Sequence, residues 1–247
     1  MSGAITFLRY DTPFPDVEHA TTDGLLAVGG DLTLQRMLEA YHRGIFPWFN
    51  AEDPILWWSP DPRMVLNCDE LRVSRSLAKR CRQLARQEHA PDGTLKVLTN
   101  TSFLHVIMQC AATRMRQAGT WITPDIVRAY FTLHQHGYAH SVEVWNHDKL
   151  VGGLYGVCIG RFFFGESMFA AQTDASKIAL YYLVQFLKTQ GIHHVDCQQE
   201  TAHLASLGAK PISRQQFCQL LDRYTAMPAP HWPTGQLFSN GELAPHE

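Results

Sequence analysis

Residues 150–187 read LVGGLYGVCIGRFFFGESMFAAQTDASKIALYYLVQFL. The first part, Leu150 to Ile159, is apolar and interrupted by glycine, as suits a buried strand that another backbone approaches closely. Gly160-Arg161 makes a tight turn, and Arg161 to Phe164 reads as the returning strand of a hairpin. That strand ends at Gly165-Glu166-Ser167-Met168-Phe169, which sets a carboxylate inside an aromatic run where burying it unpaired is costly. From Ala175 the apolar period becomes helical, with Ala179, Leu180, Leu183, Phe186 and Leu187 on one face and Gly191 as the stop. A further short strand follows at His194 to Gln198. Strand, strand, helix and strand in this order predict an α+β domain.

The 247 residues allow one large domain or a small one joined to a medium one. With 45% hydrophobic and 18% charged residues the composition is that of a soluble globular chain. No apolar run approaches ~20 residues and the N-terminus has no signal-peptide core, so a cytoplasmic protein without membrane contact is expected. The six cysteines are scattered with no C-x-x-C pair and read as small buried hydrophobes. The thirteen histidines include no H-E-x-x-H, and no metal site is expected. A net charge of −2 argues against coating long nucleic acid by bulk charge, but not against a local basic patch.

Upstream, Asp23 to Leu32 is a short apolar run closed by glycines. Thr33 caps a helix through about Arg43, with Leu34, Met37, Leu38 and Tyr41 inward. Gly44 ends it before Ile45-Phe46-Pro47-Trp48-Phe49, and Leu56-Trp57-Trp58 leads into Ser59-Pro60-Asp61-Pro62-Arg63. This region predicts a small N-terminal domain, residues 1–69, followed by a larger one, residues 70–247. Trp48 follows a proline outside the helix, in an aromatic loop able to project over a neighbouring pocket.

Ser74 then caps a helix whose inner stripe is Leu77, Cys81 and Leu84. Arg75, Lys79, Arg82 and Arg86 form a separate stripe, with Arg72 just upstream and Arg80 beside it. Such a stripe is either a solvated face or a phosphate-contacting one, since guanidinium forks grip phosphate oxygens. The absence of any acidic residue between Arg72 and Arg86 favours phosphate contact. Beyond the Pro91-Asp92-Gly93 turn a strand is expected at Leu95 to Leu98, then a helix through about Gln117. Thr123, Pro124 and Asp125 announce another helix, which leaves Trp121 in a loop between two helices. In the last core strand Asp196 and Gln198 are spaced i and i+2, a pattern that lets two polar groups address one reacting centre. A capping box at Ser213-x-x-Gln216 starts the final helix, and the Pro-rich tail from Pro228 reads as peripheral.

From Leu95 onward the order of elements is similar to the GNAT acyltransferase layout. Enzymes of that layout that use acetyl-CoA hold its pyrophosphate on a glycine-rich turn at the start of the central helix. Here that turn reads AAQTDASK, with no glycine and an aspartate that repels phosphate, so CoA is not expected and no cofactor is implied. The segments GLLAVGGDL, AYHRGIFPWF, LWWSPDPR, RVSRSL, TWIT, AHSVEVW, LVGGLYGV, FFGESMF, ASK, DCQ and HLASLGA, in that order, resemble the leucyl/phenylalanyl-tRNA–protein transferase family.

That resemblance implies a small N-terminal domain plus a GNAT-like acyltransferase domain. It implies transfer of leucine or phenylalanine, and methionine weakly, from leucyl-tRNA or phenylalanyl-tRNA to proteins beginning with Arg or Lys, marking them for N-degron degradation. A monomer is expected. The roles it carries over are Asp196 and Gln198 to hold the attacking amine and Glu166 as an active-site carboxylate. An apolar well for the aminoacyl side chain would be made by Trp48, Trp121, Leu154, Phe163, Leu180, Leu183 and Leu187. The tRNA acceptor stem would meet Arg72, Arg75, Lys79, Arg80, Arg82 and Arg86.

Overall fold

The computed structural model describes residues 5–90, 93–115 and 120–246. The Pro91-Asp92 part of the expected turn and the helix end expected near Gln117 lie outside them. The N-terminal unit opens with β1 (Thr6–Leu8) and β2 (Leu25–Gly29), continues through α1 (Leu34–His42), and closes with β3 (Phe46–Pro47) and β4 (Leu56–Trp58). Its four strands lie in the order β1-β2-β4-β3. The Thr33 hydroxyl accepts the Arg36 backbone N–H, which satisfies one of the free amides at the start of α1. Met37, Ala40 and Tyr41 are buried beneath the helix.

The larger unit begins with β5 (Arg63–Asn67) and α2 (Arg75–Ala85), then β6 (Leu95–Thr99), α3 (Phe103–Met115) and α4 (Pro124–Gln135). The hairpin strands follow as β7 (Ala139–Asn146), β8 (Lys149–Ile159) and β9 (Phe162–Ala170), covered by α5 (Ala175–Thr189). The chain ends through β10 (His194–Asp196), α6 (Ala202–Ser206), β11 (Lys210–Ile212), α7 (Arg214–Tyr224), β12 (Gly235–Leu237) and β13 (Leu243–Pro245). Nine strands form one sheet in the order β11-β5-β10-β9-β8-β7-β6-β12-β13. Only β10 and β9 run parallel within it, joined by the crossover through α5. The α+β class expected from the sequence is therefore present.

Two cores lie on opposite faces of the large sheet. One joins α3, α4 and the N-terminal unit through Tyr155, Phe162 and Phe164, and the other joins α5 and α2 through Leu154, Phe163 and Val195. Gly152 sits where α5 touches the sheet. A Cβ there would come within 2.4 Å of the Ala175 side chain, so glycine permits the close approach.

Two boundaries differ from expectation. Strand β5 already belongs to the large sheet, pairing with β10 and β11, so the sheets part before Arg63 rather than at residue 69. The Pro-rich tail is not peripheral. It adds β12 to β6 and buries Trp232, whose ring stacks on His140 at 4.1 Å and whose Nε1 donates to Thr99 Oγ1 at 2.9 Å.

Candidate active site

Strands β9 and β10 pair at only two positions, Phe163 with Val195 and Phe164 with Asp196. Strand β10 then stops while β9 runs on to Ala170, and a cavity of about 310 Å³ opens where they part. That volume is at the small end of ligand pockets, ~300–1,000 Å³. Leu154, Phe163, Leu180 and Leu183 line its apolar part, and Trp48 and Trp121 line it from loops. Trp48 remains 39% exposed. Six of the seven residues expected to form an aminoacyl well thus share one cavity. Leu187 does not. It follows Leu183 by one turn of α5 and is wholly buried in the core beyond the cavity.

Glu166 reaches this cavity through an irregularity in β9 that the sequence reading placed at a strand end. Gly165 faces Gly156 and Ser167 faces Tyr155, which leaves Glu166 as the unpaired residue of a bulge. The parity of β9 flips across it. Phe162 and Phe164 before the bulge, and Phe169 after it, all face the α3 core. Gly156 is required opposite the bulge, because a Cβ there would lie 2.2 Å from the Phe164 carbonyl oxygen.

Two tyrosines that the sequence reading gave no role meet the Glu166 carboxyl. Tyr41 of α1 donates to Oε1 at 2.6 Å and Tyr130 of α4 donates to Oε2 at 2.7 Å. The two phenol oxygens are themselves 2.7 Å apart. These three contacts close a ring, and two phenolic protons satisfy only two of them. A proton on Glu166 lets one phenol turn its own proton to the other and satisfies the third. Burial pushes the Glu166 carboxyl up to about 7, against the downward pull of the two phenols, with Asp196 adding to the rise and Arg63 opposing it. Burial also holds the Tyr41 and Tyr130 phenols well above their ordinary value. Tyr155, whose hydroxyl is buried with no partner among the described residues, packs edge-on to Tyr130.

Asp196 and Gln198 do not share a face. Strand β10 ends at Asp196, and Gln198 takes a left-handed φ of 56°. Asp196 turns into the core, fully buried, and Arg63 grips both its oxygens, Nε to Oδ1 at 2.8 Å and Nη2 to Oδ2 at 2.7 Å. Its Oδ1 also accepts the Gln198 backbone N–H at 2.9 Å. Gln198 is the one that lines the cavity, and its Nε2 is enclosed without a partner among the described residues. The i, i+2 reading of the two side chains as joint neighbours of the reacting centre is corrected accordingly. A buried carboxylate has to be paired, and its partner Arg63 lies 133 residues away in sequence, where spacing gives no hint.

Of the basic stripe, Arg72, Arg75, Lys79, Arg82 and Arg86 are exposed on or beside α2. Arg80 is not among them. It is half-buried and bound to the start of α5, donating to the Thr173 carbonyl at 2.8 Å with Asp174 at 3.8 Å. Lys177 lies 3.5 Å from the same carboxylate. The N-terminus of α5 thus presents Asp174, held by two cations. No helix among the described residues is long and apolar enough to cross a membrane.

Residues 65–222 match the family model for leucyl/phenylalanyl-tRNA protein transferase, and residues 30–61 match that of its N-terminal domain. The chain is 54% identical to the leucyl/phenylalanyl-tRNA–protein transferase of Bordetella petrii, over 98% of this chain and 96% of that protein. It is also 54% identical to the protein of that name from Nitrosomonas eutropha, over 91% and 93%. Among solved structures, L-PGS from Bacillus licheniformis aligns at a TM-score of 0.37 and 11% identity, over 71% of this chain and 53% of that one, too distant to bear on fold or function. With identity above one half along nearly its whole length, the chain belongs to the leucyl/phenylalanyl-tRNA–protein transferase family of aminoacyltransferases.

Proposed function

We propose that the cavity receives the leucine or phenylalanine side chain of an aminoacyl-tRNA, with methionine accepted weakly, and that the amino acid passes to a protein beginning with Arg or Lys. The observation that carries this reading is the apolar cavity of about 310 Å³ with Glu166 and Gln198 on its wall. Exposed Arg72, Arg75, Lys79, Arg82 and Arg86 offer the acceptor stem a cationic face on the helix that packs beside α5. Arg80 supports that face from below by holding Asp174. Asp174 at the start of α5 disfavours a pyrophosphate there, which speaks against CoA as donor.

In this reading the neutral α-amine attacks the ester carbonyl carbon, the C–N bond forms, and the bond to the ribose oxygen breaks. The amine proton ends on that oxygen. An α-amine with pKa ~7.7–8.0 is about 10–20% neutral at pH 7, and positioning supplies effective molarities of ~10⁵ M or more. Gln198 offers an amide to orient the amine and the carbonyl. Glu166, poised near 7, takes the proton as the amide forms and returns it to the ribose oxygen. Asp196 acts one step back, through the Gln198 backbone. The strand, strand, helix and parallel strand order supports a GNAT-like larger domain. We assign the enzyme to the cytoplasm, as a monomer, in N-degron marking. Labelled leucine should pass from leucyl-tRNA to an Arg-initiated peptide without ATP or CoA. Transfer from acetyl-CoA with none from leucyl-tRNA would overturn the reading.

A further inference from the structure

Arg63 is a buried cation whose Nε, Nη1 and Nη2 all donate hydrogen bonds, and nothing in the chemistry described above uses it directly. It begins β5, whose Val65 faces Asp196 across the sheet, so Arg63 lies two residues along on the same face. Its side chain is 1% exposed. The guanidinium forks onto both Asp196 oxygens and gives Nη1 to the Gly44 carbonyl at 3.1 Å. Two aromatic rings lie against it, with Cζ 4.7 Å from the Phe46 centroid and 4.4 Å from the Phe217 centroid. These partners come from three places: the turn and strand leading to Trp48, helix α7, and the end of β10.

Each partner fixes something at the cavity. Asp196 holds the Gln198 backbone N–H, and with it a left-handed residue whose side chain lines the cavity. Phe46 lines the cavity itself and is followed directly by Pro47 and Trp48 on the same wall. A planar, five-donor group can hold a carboxylate, a carbonyl and two rings at once, which an ammonium cannot.

We propose that Arg63 is a positioning residue for aminoacyl transfer: through Asp196 it fixes Gln198, and through Gly44 and Phe46 it locks that amide in register with the Trp48 wall. The inference rests on the proposed transfer reaction and adds to it a residue that touches no substrate. It differs from a purely structural ion pair in one respect. If Arg63 acts through Gln198, removing both must cost little more than removing one.

The test is a double-mutant cycle on kcat for transfer from leucyl-tRNA to an Arg-initiated peptide, using Arg63→Lys, Gln198→Ala and the pair. Arg63→Lys keeps the charge and loses the fork. A misplaced group costs up to about 100-fold in rate, so a loss of that order is expected for Arg63→Lys, with a smaller rise in donor KM. The double variant should fall no further than about threefold below the worse single one, because the two act as a unit. Losses that multiply, or a folded Arg63→Lys with the wild-type kcat, would overturn the proposal. Should Arg63→Lys fail to fold by circular dichroism, the same cycle is read with Phe217→Leu, which removes one ring from the stack and keeps an apolar side chain; the same two outcomes decide it. A wild-type chain that does not transfer leucine at all is a different failure, that of the proposed function.

Discussion

Replacing Glu166 by Gln should change how stability depends on pH, in a direction the ring of oxygens dictates. The ordinary carboxyl value is 4.5 and burial pushes Glu166 to about 7, a preference for the neutral form of about 3 kcal/mol. Because the folded value lies above the unfolded one, the folded state binds the proton more tightly between the two. Stability therefore falls as pH rises through that window. Below about pH 4.5 both states are protonated and the cost is absent; by about pH 8 it is complete. Glu166→Gln supplies an acceptor and an N–H donor at every pH, which satisfies all three contacts with Tyr41 and Tyr130. Urea unfolding at pH 4.5 and pH 8 measures the outcome. Between those values the variant should gain about 3 kcal/mol on the wild type, whatever its offset at pH 4.5. A difference between the two proteins that stays constant with pH would refute the reasoning and leave Glu166 an ordinary ionised carboxylate.

Arg75→Glu with Arg82→Glu should weaken charged-tRNA binding and flatten its salt dependence by ~0.7–0.9 of slope per lost phosphate contact, while an aminoacyl-adenosine donor keeps its rate; equal loss with both donors would make the stripe a support of the fold. Trp121→Ala should raise the donor KM and leave the choice of N-termini alone. Leucine and phenylalanine donors should both serve, since a hydrophobic well separates near neighbours by only ~1–3 kcal/mol, whereas donors branched at Cβ should be poor. Because Leu187 lies outside the cavity, Leu187→Ala should cost about 2–5 kcal/mol of stability in urea unfolding with the leucine-to-phenylalanine ratio unchanged; Leu183→Ala should shift that ratio toward phenylalanine.

Local pattern carried the hairpin and the central helix, because each is written in a run of neighbours; the set of cavity residues followed only from the family resemblance. Leu187 shows where the carried-over pocket departs from the structure: it shares the buried helix face with Leu180 and Leu183, as its period implies, but the cavity closes a turn earlier. Glu166 was legible as a carboxylate too costly to leave unpaired. Its partners were not, since Tyr41 and Tyr130 sit on inward helix faces where a phenol packs like any other ring, and their hydroxyls meet only in the fold. The bulge escaped for a similar reason. One unpaired residue in β9 leaves no mark on an aromatic run. Arg63 lay in plain view after two prolines, yet its partner Asp196 is visible only once β5 and β10 are paired. Trp232 likewise looked like tail until Thr99 and His140 were beside it.

The central claim is that the cavity between β9 and β10 holds the aminoacyl side chain beside Glu166 and Gln198. A crystal structure with the amide-linked analogue of leucyl-adenosine, which cannot transfer its amino acid, tests it most directly. The account predicts the isobutyl group in contact with Leu154, Phe163, Leu180 and Leu183, with the carbonyl beside Gln198. Leucine bound elsewhere, with the cavity left open or filled by the adenine, would contradict it.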